Sequence, residues 1–160
     1  EDTLITIQID PLLAERFGME YVDIDGTKKR PYIIHRSSIG CYERTLALLI
    51  EKYAGAFPLW LSPEQVRILP IADRHVEYAD KLFNQLKNLG FRCSVDDRAE
   101  NVKKKIRDAQ LEKLPYMLVL GDKEVETNTV SLRYRSGKTE TLSVEDLISK
   151  LVYERDNKVR

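Results

Sequence analysis

Cysteine is scarce in this chain. Cys41 and Cys93 are the only two in 160 residues, too few for a disulfide framework or a four-cysteine zinc site, and suited to a reducing compartment such as the cytoplasm. Histidine is equally rare, with two, and no Cys–His combination has recognisable ligand spacing. Net charge is missing: 26 basic residues balance 26 acidic ones. No global field therefore draws the chain towards nucleic acid, and any such contact must come from a local cluster. No apolar run approaches the roughly 20 residues of a membrane span, and the opening residues lack a signal-peptide pattern. Repeats and low-complexity tracts are absent too. What remains is an ordinary globular balance, 32% charged and 42% hydrophobic, in a length that permits one medium domain or a small domain plus a fragment.

The first block opens on β-branched residues, Thr3 to Ile9, which predict a strand ended by Asp10-Pro11 because proline removes a ladder donor. Glu1-Asp2 leads almost directly into that strand, which predicts a truncated start. Tyr21 to Ile24 alternates as a strand should, Asp25-Gly26 signals a hairpin turn, and Arg30 to Ile34 is the expected return strand. A helix over about Tyr42 to Tyr53 places Leu46, Leu49, Ile50 and Tyr53 on one stripe, with Gly55 as its stop. A block of about 55 residues is near the size where a lone core is marginal. The strand at Leu4 to Ile9 is therefore expected to be disordered or to need a substitute partner.

Phe57 to Pro63 contains two prolines, which bar regular helix, and apolar residues that a free linker would not carry. It reads as a connecting strap over 57–64. The second block then alternates as an α/β domain does. Gln65 to Ile71 is a buried strand, and Asp73 is a candidate cap for a helix carrying Val76, Ala79, Leu82, Phe83, Leu86 and Leu89, stopped by Gly90. Phe91 to Val95 is a strand. Asn101 caps a basic helix with Val102, Ile106 and Ala109 inward, and Tyr116 to Leu120 is the most hydrophobic strand. Val130 to Arg135 and Lys138 to Leu142 flank Ser136-Gly137 as a hairpin, and Ser143 with Asp146 opens a last helix. The order predicts a mixed sheet of roughly five strands flanked by three helices.

One stretch carries chemistry: RPYIIHRSSIGCYERTLALLIEKYAG, Arg30 to Gly55. A strand runs into His35-Arg36, a small-residue turn follows, and Glu43-Arg44 opens the helix. Read as a bare pattern, it is either a polyphosphate-binding bend or an ordinary strand–helix corner with surface charges. The segment resembles motif 3 of class II aminoacyl-tRNA synthetases, in the form found in threonyl-tRNA synthetases. The likeness continues through AGAFPLWLSPEQV, Ala54 to Val66, and covers nearly the whole chain. It implies an α/β class II anticodon-binding domain over 65–160, the strap, and a truncated antiparallel strand–hairpin–helix piece of the catalytic domain over 1–56.

The resemblance also implies roles. Arg44 matches the arginine that contacts ATP phosphates, a role its planar, permanently charged fork suits; its alternative is a helix ion pair. Gln8 aligns with a glutamine near the bound adenylate. His35 matches one of three protein ligands to a zinc that holds threonine by its amino and hydroxyl groups, which lets the family reject valine. The other two ligands would lie upstream. Arg107, Lys113, Glu124 and Arg133 fall where the family recognises anticodon bases, and each is otherwise a solvated charge. Ala99 departs from an asparagine often found there. Lys103, Lys104 and Lys105 either meet phosphates or solvate their helix.

The expected parent is a threonine–tRNA ligase that activates threonine with ATP and transfers it to threonine tRNA. This portion would bind the anticodon and be inactive alone, with neither ATP nor zinc bound to it. The parent is expected to be a homodimer and this portion a monomer, with no membrane contact. The alternative is a non-catalytic RNA-binding or accessory protein that reuses the anticodon-binding domain.

Overall fold

The computed structural model describes residues 5–37 and 40–159. The chain forms two compact units, Glu1–Lys52 and Tyr53–Arg160. In the first, β1 (Thr6–Asp10) pairs antiparallel with β4 (Ile33–Ser37), from Thr6 opposite Ser37 to Asp10 opposite Ile33. Asp10 Oδ1 accepts from the amides of Leu12 and Leu13 at 2.8 and 3.0 Å, starting the short helix α1 (Leu12–Arg16).

Of the two outcomes expected for the opening strand, disorder or a partner, its described residues, Ile5 onward, take the second by pairing with β4; Thr3 and Leu4 lie outside them, as do Ser38 and Ile39 of the small-residue turn. The hairpin closes earlier than expected, between β2 (Tyr21–Val22) and β3 (Lys28–Lys29). Its turn is tightened by Gly26, at φ +77°, and by Asp25 Oδ1, which accepts from the Thr27 amide at 3.0 Å. Lys29 bridges Asp23 and Asp25. Pro31 then interrupts the ladder, freeing the next residues to pair with β1 instead.

The helix α2 runs over Tyr42–Tyr53, as its periodicity predicts, but it buries no residue: Leu46 is 54% exposed and Ile50 47%. Ala14 is the buried apolar residue of this unit among those described. Helix formation here was legible from spacing; burial was not, because it depends on what lies opposite.

The second unit begins with turns. The Leu61 and Ser62 amides donate to the Pro58 carbonyl at 3.1 and 3.0 Å, so the connecting strap is folded into a turn. Five strands follow: β5 (Val66–Pro70), β6 (Cys93–Val95), β7 (Tyr116–Leu120), β8 (Thr129–Tyr134) and β9 (Thr139–Ser143). They lie in the order β6-β5-β7-β8-β9, parallel among the first three and antiparallel thereafter.

Strand alternation sorts side chains to two faces. Val66, Ile68, Leu118, Leu120, Val130 and Leu132 pack against Ala79, Leu82 and Leu86 of α3 (Val76–Asn88) and against Leu147 and Leu151 of α6 (Val144–Asp156). Leu69 and Met117 face the other way, onto Ile106 and Ala109 of α4 (Val102–Leu111). Each fully buried leucine contributes about 1.5–3 kcal/mol. Gly90, at φ +81°, ends α3, and Ser143 Oγ accepts from the Asp146 amide at 3.0 Å to start α6. Asp73 does not cap α3; it is the first residue of a 3-10 turn, Asp73–His75. A fourth helix, α5 (Asp122–Thr127), adds to the three expected ones.

Candidate nucleic-acid interface

The sheet face under α4 continues one strand beyond its cover. Arg133 stands opposite Met117 in the β7–β8 ladder, and Thr139 stands opposite Arg133 on β9. Directly cross-strand residues share a face, so Arg133 rises beside Met117 with Ser131, Thr139 and Thr141 as small polar neighbours. Arg133 is half-buried and its Nε is buried without an acceptor. No side-chain donor of Arg133 has a partner among the described residues, so the guanidinium as a whole, rather than its buried Nε, remains available to an acceptor from outside the chain.

Across this face, α4 brings further cations, though fewer than its sequence suggests. Asn101 caps the helix, its side chain accepting from the Lys103 amide at 2.8 Å. Lys105 is 3% exposed and donates to the carbonyls of Asp96 at 2.8 Å and Pro70 at 3.3 Å. This corrects the reading of the triple lysine: Lys105 neither meets phosphate nor solvates the helix, but clamps α4 to the ends of β5 and β6. Lys104 pairs with Glu100 at 2.5 Å. Lys103 and Arg107 are exposed, four apart on one stripe, with no side-chain partner among the described residues.

Near the start of this helix, Arg98 grips Asp96 through two bonds of 2.8 and 2.7 Å and reaches Asp108 at 3.1 Å. The guanidinium, more than the opposing desolvation, holds the Asp96 carboxyl below its ordinary range. Ala99 sits exposed in the same loop.

The other two sequence-predicted readers are engaged within the fold. Lys113, in left-handed backbone at φ +59° just past α4, donates to the Ala54 carbonyl and lies over Gly55. Glu124, third residue of α5, accepts the Gly121 amide at 3.0 Å through Oε2. The four residues are not gathered in one pocket. Lys113 and Arg133 lie towards the end of the sheet where β7 begins and β8 finishes, Arg107 lies on α4, and Glu124 lies beyond the other end of β7. The opposite face offers a groove of about 450 Å³ between α3, α5 and the start of α6. Its cations are already paired, Arg74 with Asp122 at 2.7 Å and Lys81 with Glu77 at 2.8 Å.

In the first unit, Gln8 and His35 are direct cross-strand partners, both exposed. Sequence reasoning had singled out each without placing them together. Arg44 is exposed on the first turn of α2 and engaged by a neighbour. Among the described residues no group of three or more His, Cys, Asp or Glu could hold a metal ion, and none of the helices is long and apolar enough to cross a membrane.

The family model describing an anticodon binding domain matches residues 65–154. The chain is 55% identical over 159 residues to a threonine–tRNA ligase of Clostridium perfringens strain SM101, covering 99% of this chain and 25% of that protein. It is 61% identical over 140 residues to that of Clostridium botulinum strain Eklund 17B, covering 88% of this chain and 22% of that protein. The crystal structure of the RNA binding domain of threonyl-tRNA synthetase from Cryptosporidium parvum Iowa II superposes with a TM-score of 0.78 at 40% identity, covering 93% of this chain and 38% of that one. The chain thus spans about a quarter of the length of the curated relatives it matches.

Proposed function

Given that the chain belongs to the anticodon-binding domain family, we propose that its second unit reads the anticodon of threonine tRNA as part of a threonine–tRNA ligase. The observation that carries this reading is Arg133, whose guanidinium has no partner among the described residues on a sheet face lined with hydroxyls. Single-stranded loops splay bases that such a face can read by their edges, and a guanidinium fork spans two acceptors at once. Arg107, and Lys113 and Glu124 at either end of the sheet, extend the surface to a loop's width. Lys103 supplies a phosphate contact.

The first unit supplies an edge of the synthetic site. In this proposal Arg44 holds ATP phosphate and stabilises charge as pyrophosphate leaves, and Gln8 lies near the adenylate. His35 contributes one of the zinc ligands, with the remaining ligands from the rest of the ligase. The metal would select threonine through its amino and hydroxyl groups. This chain's own residues cannot complete that site, since a single imidazole does not hold zinc, so the 160-residue chain is inactive by itself. The whole ligase is a homodimer in this reading and the chain alone a monomer.

Two measurements test the proposal. Binding should weaken when threonine tRNA is altered only in its anticodon; equal affinity for both tRNAs would refute the reading of the second unit. Threonine-dependent pyrophosphate exchange should be absent from the chain alone, and measurable exchange would refute the reading of the first.

A further inference from the structure

The ends of β5 and β7 carry a cluster not used so far. Asp122, the first residue of α5, accepts from Arg74 Nε and Nη2, both at 2.7 Å, and from His75 Nε2 at 2.9 Å. His75 is 2% exposed, and its Nδ1 accepts the Ala72 amide at 3.2 Å. With Nδ1 used as an acceptor, the ring proton sits on Nε2 and points at Asp122. Both donors come from the turn after β5, so one carboxylate ties the neighbouring ends of β5 and β7.

Two residues further on, Glu124 folds back onto the Gly121 amide through Oε2. Space for this exists because residue 121 has no side chain: a Cβ there would stand 3.2 Å from Glu124 Oε2 and 3.0 Å from Ile71 Cδ1. Glu124 Oε1 keeps no protein donor among the described residues. α5 has only 6 residues, and so short a helix is not stable by itself. Whatever fixes the direction of Glu124 must come from outside the helix.

We infer that Asp122 is a positioning residue for anticodon specificity: gripped by Arg74 and His75, it sets the first turn of α5 so that Glu124 presents Oε1 to a base amino or imino group at a fixed place and angle. The inference rests on the anticodon-binding reading and deepens it. Asp122 touches no base; it acts through Glu124, and Gly121 gives the carboxylate room.

The test uses the 160-residue chain as wild type, Asp122→Ala, Glu124→Gln, the double variant and Gly121→Ala. Two quantities are read: the ratio of Kd for anticodon-altered and unaltered threonine tRNA, and hydrogen exchange of the residue-121 amide. Each single change should reduce the ratio roughly five- to tenfold, the size of one modest base-edge contact, and the double variant should lose no more than Glu124→Gln alone. Exchange at Gly121 should accelerate in Asp122→Ala, and Asp122→Asn should restore part of both readouts. Additive losses, an unchanged ratio in Asp122→Ala, or unchanged protection of Gly121 would overturn the inference. Failure of the underlying reading looks different: the wild type itself would not distinguish the tRNAs, while amide exchange still decides whether Asp122 holds Glu124.

Discussion

Arg133 stands directly opposite Met117 across the β7–β8 ladder. Met117 is fully buried under α4, whereas Arg133, one strand further out, has its Nε buried and unanswered. The two residues mark where the apolar core of this face stops and a polar surface begins.

Replacing Arg133 by alanine should therefore cost discrimination rather than folding. The Kd ratio between anticodon-altered and unaltered threonine tRNA should fall about tenfold, with binding to the altered tRNA little changed. Arg133→Lys should not restore it, because an ammonium cannot span two base acceptors as a planar fork does. Equal weakening towards both tRNAs would assign Arg133 to phosphate instead.

Lys105 should behave as a core residue. Lys105→Ala leaves the Pro70 and Asp96 carbonyls without their donor, and urea unfolding should register a loss of about 2–3 kcal/mol. Lys103→Ala, two residues earlier on the exposed face of the same helix, should stay within about 0.5 kcal/mol. Comparable midpoints for the two variants would contradict the buried clamp.

Asp96 predicts an acid limit. Its folded pKa lies below its unfolded value because of Arg98, so its stabilisation is fully present above roughly pH 4. It is lost as pH falls through the depressed folded value. Unfolding midpoints followed downward from pH 6 should drop more steeply for wild type than for Asp96→Asn, and Arg98→Ala should resemble the asparagine variant. Parallel curves would remove Asp96 from the acid response.

Lys103 should carry an electrostatic share of binding. Lys103→Ala should weaken both tRNAs alike and lower the salt slope of log Kd by about 0.7, the share of one phosphate contact with a single strand. An unchanged slope would leave Lys103 as helix solvation.

Much of the fold was legible because its signals are local. Asn101, Ser143 and Gly90 mark helix ends by their own chemistry, and the apolar spacing of α2 set its limits at Tyr42 and Tyr53. The misplaced hairpin shows where locality fails: Asp25-Gly26 announced a turn, but which residues returned from it was decided by Pro31 and by competition for β1. The burial of Lys105 could not be read either, since its acceptors include a carbonyl 35 positions away. Gln8 and His35 were each found by resemblance, yet their pairing is a matter of register over a long separation. The start of α5 carries only half a capping pattern, since Glu124 reaches back to the Gly121 amide but glycine has no side chain to complete the exchange.

Whether the α4 side of the second unit holds the anticodon loop is tested most directly by titrating the isotopically labelled chain with an anticodon stem-loop of threonine tRNA and following its amide resonances. Shifts should concentrate at Lys103, Arg107, Ser131, Arg133 and Thr139, with a separate response at Glu124. Shifts confined to the groove between α3 and α6, around Lys81, Gln85 and Glu145, would contradict the account.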